Sequence, residues 1–143
     1  MNAAADTRQK NLARMLRAKR VAVIGASERN PFSAPVIRNL DHFGFKGDVQ
    51  LVNAKGEPVN GRATMKSVGE LQGPIDAAFL CVPSNTVLET VREAADAGVT
   101  GFVIVSSGFA ETGEDGRRQQ EQIGELARER GLALLGPNAL GFL

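Results

Sequence analysis

Apolar runs that are continuous rather than alternating most constrain this chain. They are Val21-Ala22-Val23-Ile24, Ala77-Ala78-Phe79-Leu80-Cys81-Val82, Phe102-Val103-Ile104-Val105 and Leu132-Ala133-Leu134-Leu135. A strand with one wet face alternates apolar and polar residues. A strand buried on both faces does not, and parallel sheets are built from such strands. The stretches between the runs carry apolar residues at helical spacing, as in Val36, Ile37 and Leu40. The pattern predicts strands at residues 20–25, 48–53, 63–65, 75–82, 101–106 and 132–135. It predicts helices at 6–17, 33–43, 67–71, 83–97 and 113–130. Strand alternating with helix gives an α/β fold, a Rossmann-like doubly wound parallel sheet in a single domain, with no internal repeat.

A chain of 143 residues holds one full hydrophobic core, and 43% apolar with 23% charged residues is the balance of a globular protein rather than a disordered one. No apolar run approaches bilayer length, and the polar first 20 residues lack a signal-peptide core. Cys81, the single cysteine, has no internal disulfide partner, so a cytoplasmic location is expected. With one Cys and one His, no metal site can be assembled. Charge is uneven. Residues 1–66 hold 12 of the 17 basic but only 5 of the 16 acidic residues, which favours an anionic ligand in that half. The absence of Trp and Tyr argues against base stacking, and neither nucleic acid nor membrane is expected as a partner.

Right-handed crossovers place the carboxyl ends of all strands on one edge, and the loops there carry function. Those loops are Gly25-Ala26-Ser27, Asn53-Ala54-Lys55-Gly56, Pro83-Ser84-Asn85-Thr86, Ser106-Ser107-Gly108-Phe109 and Gly136-Pro137-Asn138. They are small or polar, and Lys55 is their one charge, a composition that suits a diphosphate better than acid–base catalysis. The dinucleotide fingerprint is incomplete. Gly25 has no glycine two residues on, and the second strand ends in Val52-Asn53-Ala54-Lys55, with no carboxylate for a ribose hydroxyl. NAD is disfavoured. NADP would suit Lys55, but no substrate domain accompanies it.

These segments, with Cys81-Val82-Pro83, Ser107-Gly108-Phe109-Ala110-Glu111-Thr112-Gly113 and Gly136-Pro137-Asn138-Ala139-Leu140-Gly141, stand in an order that resembles CoA-binding domains. The likeness is to the first domain of nucleoside-diphosphate-forming acyl-CoA synthetases, relatives of the succinyl-CoA synthetase alpha subunit. It covers residues 18–143, leaving 1–17 as an N-terminal helix. The resemblance implies CoA as the ligand. Gly25, Ala26 and Ser27 would meet its phosphates through N–H groups and a hydroxyl; Asn53 and Lys55 would lie by the ribose and its 3′-phosphate. Val82 and Pro83 would form an apolar shelf beside the adenine, Ser106, Ser107 and Gly108 would flank the pantetheine, and Asn138 would lie toward the thiol. The chain departs from the family at Ala54, where proline is common, at Ala139, where cysteine is common, and across residues 28–35, which lack glycines found in relatives.

In that family a phosphorylated histidine on the following domain, with a nucleotide-grasp region, carries the acyl transfer. His42, the sole histidine here, stands in the wrong place for that role and reads as a helix-terminal residue. No catalytic residue is expected in this chain, which would bind CoA or acyl-CoA as one part of a ligase. Two other readings stay open: a CoA-sensing module of a protein lysine acetyltransferase, and an NADP-dependent oxidoreductase subunit. Glu111, Glu114 and Asp115 are open between an acid near the ligand and capping of the long helix, with Thr112 or Asp115 as the cap.

Overall fold

A computed structural model describes residues 3–139. Its elements are α1 (Ala3–Leu16), β1 (Arg20–Ile24), α2 (Ser33–His42), β2 (Asp48–Val52), β3 (Ala77–Leu80), α3 (Val87–Asp96), β4 (Gly101–Ile104), α4 (Glu114–Arg130) and β5 (Ala133–Leu135). The strands form one parallel sheet in the order β2-β1-β3-β4-β5. This is the expected α/β architecture, with the strand order of the flavodoxin-like doubly wound sheet. From β1 the chain steps outward to β2, then returns to β3 on the other side of β1. Ligands bind where the winding reverses, at the carboxyl ends of β1 and β3.

Burial on both faces accounts for the continuous apolar runs. On one face Ile24, Leu80, Phe102 and Ile104 meet Val87 and Val91 of α3 and Ile123 of α4, all at most 2% exposed. Each such side chain contributes about 1.5–3 kcal/mol relative to exposure. On the other face Val23 and Leu51 pack with Ile37 of α2, while Ala77, Val103 and Ala133 pack with Met15 of α1. The helix expected at 6–17 begins earlier because Ala3-Ala4-Ala5 are strong helix formers.

Three expected elements differ. Residues 63–65 make no strand of the sheet; Met65 alone bridges Val52. Gly61 and Asn60 turn the chain too close to this point for a longer pairing, both with positive φ. The helix expected from Pro83 opens with a single tight turn at Ser84–Thr86 before α3. Residues 67–71 likewise form one short turn, Val68–Glu70, held by a capping box between Ser67 and Glu70.

Gly25 shows why the first loop needs glycine. Its φ is +87°, and a Cβ there would stand 2.2 Å from the carbonyl oxygen of Cys81. The loop after β1 is thereby pressed against β3. Asn30 closes it, accepting the N–H groups of Phe32 (2.8 Å) and Ser33 (3.0 Å) at the start of α2.

Candidate functional site

Two clefts open at the carboxyl edge of the sheet. The first, of about 480 Å³, lies between the loops after β1 and β2 and is lined by residues 25–29, 53–55 and 57–59. The second, of about 400 Å³, crosses the switch point and is lined by residues 30–32, 81–84, 105–107 and Asn138. The loop of residues 25–32 is the common wall. Of the residues expected from the sequence, Gly25, Ala26, Ser27, Asn53 and Lys55 fall in the first cleft, and Val82, Pro83, Ser106, Ser107 and Asn138 in the second. Gly108 lines neither, but a Cβ on it would stand 2.9 Å from the hydroxyl of Ser84, which lines the second.

The first cleft corrects one expectation. The N–H groups of Gly25 and Ala26 both donate to the carbonyl of Val52, at 3.1 and 2.9 Å, and that of Ser27 donates to Ser33 Oγ at 3.1 Å. None of the three is aimed at a ligand. They extend the β1–β2 ladder and then latch the loop to α2. What Ser27 presents is its hydroxyl, which accepts the Arg29 N–H at 3.2 Å and has a proton to give.

Asn53 is also a builder of the cleft. Its amide donates to the carbonyl of Ala26 (2.9 Å) and accepts the N–H of Lys55 (2.8 Å), tying the first loop to the second and folding the Lys55 turn. Lys55 is exposed at the rim. Neither Lys55 nor Arg29 has a carboxylate partner among the described residues, although Glu28 and Glu57 line the same cleft.

The far wall is a tight hairpin at 59–62, whose Val59 and Arg62 exchange backbone hydrogen bonds of 3.0 and 2.9 Å. Glu28 Oε1 accepts the Asn60 N–H at 3.1 Å, and Arg62 pairs with Asp41 of α2. The Arg62 guanidinium, helped by Asn60, holds the Asp41 carboxyl below the usual carboxylate range. Sequence reading missed this wall, although Asn60-Gly61 is a strong hairpin-turn signal.

The second cleft is more apolar, with Phe32, Val82, Pro83 and Val105 among its walls. The Ser106 hydroxyl donates to the Val82 carbonyl and joins the β3 and β4 loops, leaving its lone pairs to accept. Asn138, at φ +57°, donates its N–H to the Ser106 carbonyl at 2.9 Å, so the β5 loop closes the far end. Cys81 lines this cleft too, and burial pushes its thiol up to about 11, which keeps it protonated and unreactive near neutrality.

The acids after β4 resolve as local structure. Glu111 Oε1 accepts the Gly108 N–H at 2.6 Å. That bond, with the N–H groups of Glu111 and Phe109, holds its carboxyl below the usual range. Glu114 pairs with Arg117 at 2.9 Å and Asp115 lies 4.0 Å from Arg118, both on the surface of α4. The residue before α4 is Gly113, and Thr112 donates to the Phe109 carbonyl instead of capping the helix. His42 ends α2 with its ring edge-on to Phe43, the centroids 4.9 Å apart.

A family model described as a CoA binding domain matches residues 19–143. The chain belongs to this CoA-binding family. Coenzyme A is therefore the ligand of this family of domains. This CoA-binding domain is 42% identical over 129 residues to a trans-feruloyl-CoA synthase from an unidentified prokaryote, covering 90% of this chain and 18% of that protein. It is 39% identical over 124 residues to the alpha subunit of the ADP-forming acetate–CoA ligase II of Pyrococcus furiosus, covering 86% of this chain and 27% of that one. Among solved structures it superposes on a dinucleotide-forming acetyl-coenzyme A synthetase of Ca. Korarchaeum cryptofilum, seen with phosphate and ADP. The TM-score there is 0.82 at 33% identity, over 92% of this chain and 28% of that one. The CoA-binding domain thus spans less than a third of the length of these relatives. No helix among the described residues is long and apolar enough to cross a membrane.

Proposed function

We propose that this domain holds CoA along the carboxyl edge of its sheet as the CoA-binding part of an ADP-forming acyl-CoA synthetase. The phosphate-bearing end takes the first cleft, where the Ser27 hydroxyl, Arg29 and Lys55 face anions. The pantetheine crosses the Asn30–Phe32 wall into the second cleft, past Val82, Pro83, Ser106 and Ser107, with the thiol toward Asn138. Asn53 acts by shaping the Lys55 turn, and Gly108 by leaving room for Ser84. Acyl transfer, with the phosphohistidine and nucleotide-grasp machinery, belongs to other domains.

The observation that carries this reading is the pairing of Lys55 and Arg29, cations with no carboxylate partner among the described residues, with an apolar second cleft joined to theirs by one loop. CoA has that layout: an anionic nucleotide carrying an extra 3′-phosphate, and a long thiol arm of low charge. Calorimetric titration with CoA, dephospho-CoA and NADP tests it. CoA should bind tightest, and Lys55→Ala should narrow its advantage over dephospho-CoA by roughly three- to tenfold, the loss of one charge-assisted contact. An unchanged CoA to dephospho-CoA ratio in Lys55→Ala, or a preference for NADP, would overturn the placement.

A further inference from the structure

Among the described residues four large apolar side chains are exposed: Leu12, Leu16, Phe32 and Phe43. Leu12 and Leu16 lie on α1, and Phe43 follows α2 with its ring against His42. Phe32 alone of the four lines one of the two clefts, the second, and it is 48% exposed.

Folding does not account for a phenylalanine at this position. Phe32 belongs to none of the three apolar clusters packed on the sheet. It stands at the cap position of α2, which favours Ser, Thr, Asp or Asn, and its side chain makes no capping bond. Asn30 supplies the cap instead, two residues earlier. A residue that breaks the local rule without a gain in packing is expected at a functional position.

The backbone around Phe32 is fixed. Asn30 Oδ1 accepts the Phe32 N–H at 2.8 Å, and the Asn30 amide donates to the Cys81 carbonyl, after β3, at 3.4 Å. Ser33 and Ala34, next in the chain, are 0% and 6% exposed. The ring therefore hangs from an anchored Cα and is free only to turn about its own two side-chain bonds. The same cleft carries Val82, Pro83 and Val105 from the loops after β3 and β4. A slender arm of low charge lying on those three would keep one side in water unless the Phe32 ring covers it.

We propose that Phe32 is the clamp of the second cleft: its ring turns over the pantetheine arm of CoA and buries the arm against Val82, Pro83 and Val105. The inference rests on the CoA reading of the two clefts and assigns the hold on the arm to one side chain. The contact needs no directed bond, because it removes apolar surface of both ring and arm from water. Ordering a side chain with two rotatable bonds costs little against that gain. The nucleotide end lies in the first cleft and gains nothing from the ring.

Calorimetric titration with CoA and with adenosine 3′,5′-bisphosphate tests it, since the bisphosphate keeps the adenine, ribose and 3′-phosphate and lacks the arm. Phe32→Ala should weaken CoA binding by about five- to tenfold and leave the bisphosphate within about twofold of wild type. Phe32→Leu should recover most of the loss, because it returns apolar area without the ring. The melting curves of both variants should match wild type, as neither touches a core cluster. CoA affinity unchanged in Phe32→Ala, or both ligands weakened alike, would overturn the clamp while the wild type still binds CoA more tightly than the bisphosphate. A wild type that binds the two ligands equally would overturn the placing of the arm in the second cleft, and the clamp with it.

Discussion

Ser33 holds both backbone polar groups of Ser27: Ser33 Oγ accepts the Ser27 N–H at 3.1 Å and donates to the Ser27 carbonyl at 3.3 Å. Ser33 is 0% exposed, at the first position of α2. The loop after β1 is therefore set by a buried hydroxyl six residues downstream, and the Ser27 hydroxyl stays at the cleft because its backbone is bound elsewhere.

Removing that hydroxyl should loosen the loop and the ligand together. Ser33→Ala leaves the half-buried Ser27 N–H without its partner, while the Ser27 carbonyl keeps the Asn30 N–H at 3.3 Å, a loss of about 1–3 kcal/mol. Urea unfolding should show that loss, and CoA titration of the still-folded protein should show weaker binding. Stability unchanged from wild type would mean that Ser27 finds another partner.

Cys81 reports on the second cleft. The folded protein keeps the thiol protonated to about 11, against an ordinary 9.0. Between those values the unfolded chain has released a proton that the folded one retains. The stabilising effect is therefore complete below pH 9 and is lost as pH rises through 11. Cys81→Ala should flatten the alkaline fall in stability across that window. Near pH 8 iodoacetamide should label Cys81 far more slowly than a free thiol, and saturating CoA should slow it further. A rate indifferent to CoA would place the pantetheine elsewhere.

Glu111 should matter to acid stability and little to chemistry. Its carboxyl is held below the usual range, first by the Gly108 N–H. That contribution is present above the ordinary value of 4.5 and is lost as pH falls through the lower folded value. Glu111→Gln should therefore make the protein less stable at neutral pH and shallow its loss of stability below about pH 4.5. Thermal melts at pH 7, 4.5 and 3.5 would show the two curves converging. Parallel curves would mean that the carboxylate does not hold the loop.

Much of the molecule was legible before any coordinates. Uninterrupted runs such as Val21-Ala22-Val23-Ile24 signal strands covered on both faces, and chain chirality then sends every strand's carboxyl end to one edge. The loops at Gly25, Asn53, Pro83, Ser106 and Asn138 follow from that alone, and the structure brings them to the two clefts. Only the tertiary structure decided what those residues do there. Whether an N–H of Gly25 is free depends on the Val52 carbonyl across the β1–β2 ladder, and the Asn53 amide is engaged by Ala26, 27 residues away. That the β2 edge of the sheet is covered is decided the same way, by Met65 and Gln72 returning to β2. Local pattern reflects burial, which each residue's neighbours in sequence impose. Hydrogen-bond partners come from distant segments, and sequence spacing carries no record of which ones meet.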